Sequence, residues 1–129
     1  MAPWRRLVHD WRVPTAVLIV DDNARFRSRA RRLLEADGFA VVAEAADGGS
    51  ALEAASRHRP AVVLLDVQLP DMSGLAVAEQ LAREPNPPAV VLTSTYDAAD
   101  FGDRVARCGA RGFVPKAEFS GEAISAVIR

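Results

Sequence analysis

Three carboxylates, one hydroxyl and one ammonium stand at the ends of apolar runs in this sequence, and together they could transfer a phosphoryl group. The run Ala61-Val62-Val63-Leu64-Leu65 ends on Asp66, and Thr15-Ala16-Val17-Leu18-Ile19-Val20 ends on Asp21 and Asp22. Ala89-Val90-Val91-Leu92 ends on Thr93, and the shorter Gly112-Phe113-Val114-Pro115 ends on Lys116. A single acid after a strand is ordinarily a turn residue or a helix cap. Four strands that each deliver a polar group at the same end would, if parallel neighbours, converge on one crevice at the carboxyl edge, where open α/β sheets bind ligands. Three carboxylates gathered there repel one another, and an all-oxygen set suits a shared hard cation such as Mg²⁺. If that cation, Lys116 and the Thr93 hydroxyl screened the incoming phosphoryl oxygens, the central Asp66 could attack phosphorus. The product would be an aspartyl phosphate.

The lysine is informative in its own right. The chain has fifteen arginines and one lysine, Lys116. Its general bias is to fill cationic positions with arginine, so the exception marks a place where a compact point charge suits and a wide planar fork does not.

The elements that must position these groups alternate along the chain. Continuous Val- and Leu-rich runs bounded by turn residues read as strands covered on both faces. After the first strand, Asn23 caps a helix over about 24–36, with Phe26, Ala30, Leu33 and Leu34 on its buried stripe and Gly38 as its stop. Arginines 25, 27, 29, 31 and 32 make this helix strongly basic, either as a solvated face or as a dock for an acidic partner surface. A second strand, 39–43, precedes a helix that Ser50 and Glu53 open as a capping box, with Leu52 and Ala55 inward. His58 near its end suits the helix dipole and needs no catalytic role. A third helix from about Gly74 buries Leu75, Ala78, Leu81 and Ala82. The fourth is expected from an Asp97 cap to Gly109, burying Phe101, Val105 and Cys108 and weakened by Gly102 in its interior. The last runs from Ser120 with Ala123, Ile124 and Val127 inward.

Five strands alternating with five helices predict an α/β, doubly wound domain with right-handed crossovers. The less apolar second and fifth strands belong at the edges of the parallel sheet, which selects the flavodoxin-like order 2-1-3-4-5. Residues 1–14 form an N-terminal extension outside this pattern, and 15–129 form the domain. Within the extension Trp4, Leu7, Val8 and Trp11 make one helical stripe between Pro3 and Pro14, and His9 is expected to face solvent.

Composition narrows the classes. At 129 residues and a net charge of −1, neither nucleic acid nor an anionic membrane is implied as partner. Cys108 is the one cysteine, so no internal disulfide forms, and no stretch approaches a membrane span or a secretory leader. A reducing cytoplasm is the expected location.

The segments VLIVDDN, LLDVQLPDMSG, VVLTS and GFVPK closely resemble the receiver domain of two-component response regulators, over about residues 15–129. The resemblance implies that Asp66 is the phosphoacceptor, that Asp21 and Asp22 are the acidic pair holding Mg²⁺, and that Gln68 lends a backbone carbonyl to the metal. It further implies that Thr93 is the hydroxyl that follows the phosphate, Lys116 the site lysine and Phe113 the aromatic switch, with Pro70 and Gly74 in the loop after the phosphoacceptor. Pro115 precedes Lys116, where many receivers have the proline after the lysine, so the cis peptide associated with that order is not expected. The implied partners are a histidine kinase or histidine phosphotransfer protein and a downstream protein target, with a phosphorylation-dependent homodimer also allowed. Such a protein is not an enzyme beyond catalysing its own phosphorylation and dephosphorylation. Thirteen residues follow Lys116, so no DNA-binding domain, and no direct DNA binding, is expected. A haloacid-dehalogenase-like phosphohydrolase needs an acid two residues after the nucleophile, where this chain has Gln68. A flavodoxin-type flavin site would be repelled by Asp21 and Asp22. A degenerate receiver acting as a phosphorylation-independent interaction module stays open as the alternative.

Overall fold

Strand β3, Val62–Asp66, is buried at every position and runs through the middle of the molecule. A computed structural model describes residues 13–128; the stripe Trp4, Leu7, Val8 and Trp11 and His9 lie outside the described residues. Around β3 stand β1 (Ala16–Val20), β2 (Ala40–Ala45), β4 (Ala89–Ser94) and β5 (Gly112–Pro115), all parallel, in the order β2-β1-β3-β4-β5. This is the order expected from sequence. Edge strand β2 is only partly buried, whereas the central strands are covered on both faces, as continuous apolar runs require.

The sheet separates two cores. Alternate residues of each strand face opposite sides, so Val17 and Ile19 pack with Phe26, Ala30, Leu34 and Ile124 beneath α1 (Ala24–Ala36) and α5 (Gly121–Ile128). Leu18, Val20 and Leu65 pack on the other side with Ala51, Leu75 and Leu81, beneath α2 (Gly48–His58) and α3 (Gly74–Ala82). Each fully buried Leu, Ile or Val stabilises the fold by about 1.5–3 kcal/mol relative to exposure.

Most caps follow the sequence. The Asn23 side chain accepts from the amides of Arg25 and Phe26, and Ser120 from Ala123; Ser73, not among the caps expected from sequence, accepts from Leu75. Helix α2 differs, because Asp47 is its cap and it starts two residues before Ser50. The two extra N–H groups this exposes, of Gly48 and Gly49, donate to the two oxygens of Asp71 at 2.7 and 2.9 Å. The expected capping box is thus replaced by Asp47, which accepts from the Ser50 amide, and by an acceptor pair from a distant loop. In α3 the buried stripe comprises Leu75, Val77, Ala78 and Leu81, and Ala82, expected inside, is exposed at the helix's last position.

The fourth helix is broken. In place of one continuous segment there is a 3₁₀ turn, Ala98–Phe101, and a single α-turn, α4 (Arg104–Arg107). Between them Gly102 adopts φ 63°, ψ −139°, a conformation essentially reserved for glycine. The interior glycine that sequence marks as a weakness is therefore a hinge between two short pieces.

Candidate functional site

Register brings the polar strand ends together. Asp66 pairs with Thr93 across β3 and β4, and Val20, immediately before Asp21, pairs with Leu65, immediately before Asp66. Ser94 pairs with Pro115, which places Lys116 one residue beyond the sheet. Asp21, Asp66 and Thr93 are buried, while Asp22 is exposed at the rim. One oxygen from each of Asp21, Asp22 and Asp66 lies within 4.8 Å of the others. Such a cluster of oxygen donors fits a hard divalent cation.

The loop after β3 is tied down on three sides. Gln68 and Ser73 pair as an antiparallel bridge, the Gly74 amide donates to the Val67 carbonyl at 2.7 Å, and Asp71 is held by α2. A Cβ at position 74 would collide with the Asp66 carbonyl oxygen, so glycine lets α3 close against the strand end. Within this frame the Gln68 amide donates to Asp66 Oδ1 at 3.1 Å. The start of β1's loop is held likewise: the Asn23 amide donates to Asp21 Oδ1, and Arg27 donates to the Asp21 carbonyl at 2.7 Å.

Lys116 completes the cluster. Its Nζ is 2.7 Å from Asp21 Oδ2 and 3.3 Å from Asp66 Oδ2. Only the Asp66 approach has hydrogen-bond alignment; the shorter one is an ion pair, and Asp21 Oδ2 has no directed donor. Burial, followed by the charge of Asp21, pushes the Asp66 carboxyl above its ordinary range, against the Gln68 amide and Lys116. For Lys116, burial acts to lower the ammonium's pKa but is outweighed by the two carboxylates, which raise it. Asp21 Oδ2 and Thr93 Oγ1 are, among the described residues, buried side-chain oxygens without a hydrogen-bond partner. Asp21 Oδ2 still has the Lys116 charge beside it, but leaving the Thr93 hydroxyl unpaired costs about 1–3 kcal/mol. That both lie in this crevice is consistent with a site built to meet a cation and further oxygens.

The sequence-predicted residues are thus assembled, with two qualifications of place. Phe113 is half-buried and packs with Phe101, ring centroids 6.3 Å apart, on the α4 side of the sheet. The basic run on α1 is partly engaged: Arg27 and Arg31 pair with Glu44 at 3.0 and 2.8 Å, while Arg25, Arg29 and Arg32 are exposed. Sequence reasoning missed Asp71 and the seating of Lys116 on Phe26, whose ring centroid is 4.6 Å from Nζ. Neither pairing has a local signal, since the partners are far apart in the chain. A groove of about 700 Å³ between the carboxyl ends of α2 and α3, lined by Arg59, Gln80 and Arg83, lies at the amino ends of the strands, away from the carboxylates.

Residues 17–129 match the family model described as the response regulator receiver domain. Among curated proteins, the chain is 40% identical over 109 residues to a protein-glutamate methylesterase/protein-glutamine glutaminase of Alkalilimnicola ehrlichii, covering 81% of this chain and 28% of that one. It is 36% identical over 107 residues to the transcriptional regulatory protein PdtaR of Mycobacterium tuberculosis, covering 83% and 52%. The chain therefore spans about a quarter to a half of the length of these relatives. Among solved structures, the signal receiver domain of NarL from Mycobacterium tuberculosis superposes with a TM-score of 0.81 at 34% identity, covering 89% of this chain and 94% of that one. The chemotaxis response regulator CheY4 of Vibrio cholerae gives 0.79 at 25% identity, covering 89% and 99%.

Proposed function

Because this chain belongs to the response regulator receiver family, we propose that it takes a phosphoryl group onto Asp66 and uses it to switch a protein-binding surface. The observation that carries this reading is the meeting of Asp21, Asp22 and Asp66 within 4.8 Å, with Lys116 donating to Asp66. Asp21, Asp22, Asp66 and the Gln68 backbone carbonyl would hold Mg²⁺, which supplies charge neutralisation for the phosphoryl oxygens.

Every other part is played by the chain itself. A carboxylate oxygen of Asp66 attacks phosphorus, the bond to the donor breaks, and the electron pair leaves on the donor atom, a phosphohistidine nitrogen in a kinase or phosphotransfer protein. Lys116 then has one carboxylate partner fewer and turns toward a phosphoryl oxygen. The Thr93 hydroxyl, unpaired in its buried position, donates to another. As Thr93 moves, Phe113 swings into the space it leaves, and the surface formed by α4, β5 and α5 changes. Catalysis by the chain extends to its own phosphorylation and dephosphorylation.

The test is mass spectrometry after treatment with acetyl phosphate or phosphoramidate. One phosphoryl adduct is expected with Mg²⁺, lost in EDTA and in Asp66→Asn. An adduct that survives Asp66→Asn would remove Asp66 from this role, and one that forms equally well in EDTA would remove the metal. Failure of the parent to be labelled under any donor would favour a phosphorylation-independent interaction module.

A further inference from the structure

Lys116 is held from a third direction by a group with no charge. The ammonium has three N–H bonds; one donates to Asp66 Oδ2, Asp21 Oδ2 forms an ion pair with it at 2.7 Å, and Phe26 presents its ring with the centroid 4.6 Å from Nζ. A cation at that distance from an aromatic face is attracted by the ring's quadrupole, the more so where water is excluded. Phe26 is buried, and so is Phe119, which meets it edge-on with centroids 5.4 Å apart and planes at 70°. The ring is therefore fixed on both sides: α1 carries it, and the segment just after Lys116 braces it.

Its position is also tied to the acid it faces across the lysine. The Asn23 amide binds Asp21 Oδ1, and the Asn23 side chain in turn accepts from the Phe26 amide at 3.1 Å. One residue thus fixes both Asp21 and the start of the helix turn that bears the ring. From this geometry we infer that Phe26 is a positioning residue for the site, setting where the Lys116 ammonium sits before and during phosphoryl transfer. When Asp66 becomes an acyl phosphate and its oxygen no longer anchors the lysine, the ring face still does. Lys116 therefore turns toward the phosphoryl oxygen about a fixed seat. An aliphatic residue at position 26 would fill the space but leave the ammonium to the carboxylates alone.

The inference rests on the proposed phosphoacceptor role, but part of its test does not. Lys116 is the chain's one lysine, so selective labelling gives a single set of side-chain resonances. In the parent the ε-methylene signals should be moved upfield by the Phe26 ring current; in Phe26→Leu they should return toward exposed-lysine values, and in Phe26→Tyr they should stay. No ring-current shift in the folded parent would overturn the seat, whether or not Asp66 is phosphorylated. Phosphoramidate labelling with saturating Mg²⁺ then reads function. Phe26→Leu should slow the labelling by about three- to thirtyfold, the range of cation–π contacts from partly exposed to desolvated, with Phe26→Tyr close to the parent. A double-mutant cycle separates positioning from packing. In a Lys116→Met background Phe26→Leu should cost nothing further. An equal loss in both backgrounds, or no loss with Lys116 present, would overturn the positioning role. A parent with the ring-current shift but no labelling would count against Asp66 as phosphoacceptor and leave the seat standing.

Discussion

At the scale of single residues, the crevice combines a charge it disfavours with one it favours. Asp66 has its carboxyl pKa raised by burial and by Asp21, so across the window between its unfolded and folded pKa the folded state binds more protons, and stability falls as pH rises through it. Lys116 has a raised pKa, so its contribution is fully present below the unfolded lysine value and is lost only as pH rises through the higher folded one, in strongly alkaline solution. Asp66→Asn should therefore raise Tm by a few degrees at neutral pH without divalent cations, an advantage that shrinks as the solution is made acidic or Mg²⁺ is added. Thermal scans at several pH values check this, and an unchanged or lowered Tm would remove the repulsion from the account. Lys116→Arg should impair phosphorylation and the response to it although charge is kept, because a guanidinium cannot approach two carboxylates and a ring face as one compact donor does. Matching behaviour in labelling and in beryllofluoride titration would refute that. The five polar groups of the site were legible in the sequence because each ends an apolar run, and strand ends are where chain direction alone fixes location. Phe26 was legible only as one position of an apolar stripe, since its bond to Lys116 depends on how α1 lies against the end of β5.

At the scale of elements, capping and breaking decide where the site can move. Asp71 ties the loop after β3 to the first turn of α2, its carboxyl pKa lowered by the amides of Gly48 and Gly49. Asp71→Ala should speed hydrogen exchange at Gly48 and Gly49 while leaving the middle of α2 protected. Unaltered exchange at those two amides would show that solvent or Asp47 replaces the clamp. Gly102 sits where no side chain would meet any neighbour, so replacing it tests conformation alone. Gly102→Ala should destabilise the fold by about 1–3 kcal/mol in urea unfolding with an unchanged slope, the cost of forcing a Cβ into that backbone region. A midpoint equal to the parent's would mean that the break is not held there. The sequence marked this helix as weak but could not show it broken, because a glycine within an apolar period only lowers helix preference. Whether the chain turns there depends on the packing of Phe101 and Cys108 on either side. The α2 cap was misread because Ser50 and Glu53 have the capping-box spacing, whereas Asp47, three residues before Ser50, is the cap that accepts from the Ser50 amide, and a loop more than twenty residues away supplies the acceptors for Gly48 and Gly49.

At the scale of the whole molecule, the proposed phosphorylation at the sheet's carboxyl edge would have to reach a surface through the strands. Beryllofluoride with Mg²⁺ should change amide exchange most between about Thr93 and Lys116. Thr93→Ala should still take up phosphate but lose much of that change, since a bound group shifts an equilibrium only through contacts that differ between its two states. Changes confined to Asp21, Asp22, Asp66 and their neighbours would place the output elsewhere, with the basic face of α1 as the next surface to test. Strand order and the two cores were legible because apolar content along each strand reports how many of its faces are covered.

The sheet keeps its two cores apart, and this has a consequence for how such a chain can diverge. Phe26 and Phe119 belong to the interior shared by α1 and α5, Phe101 and Phe113 to the one on the α4 side, and the row of polar strand ends stands at the edge of the sheet that divides them. Substitutions accumulated in one interior need no matching change in the other, provided that row is kept. A duplicated copy could therefore rework one interior while the other stays as it was, in separate steps and in either order.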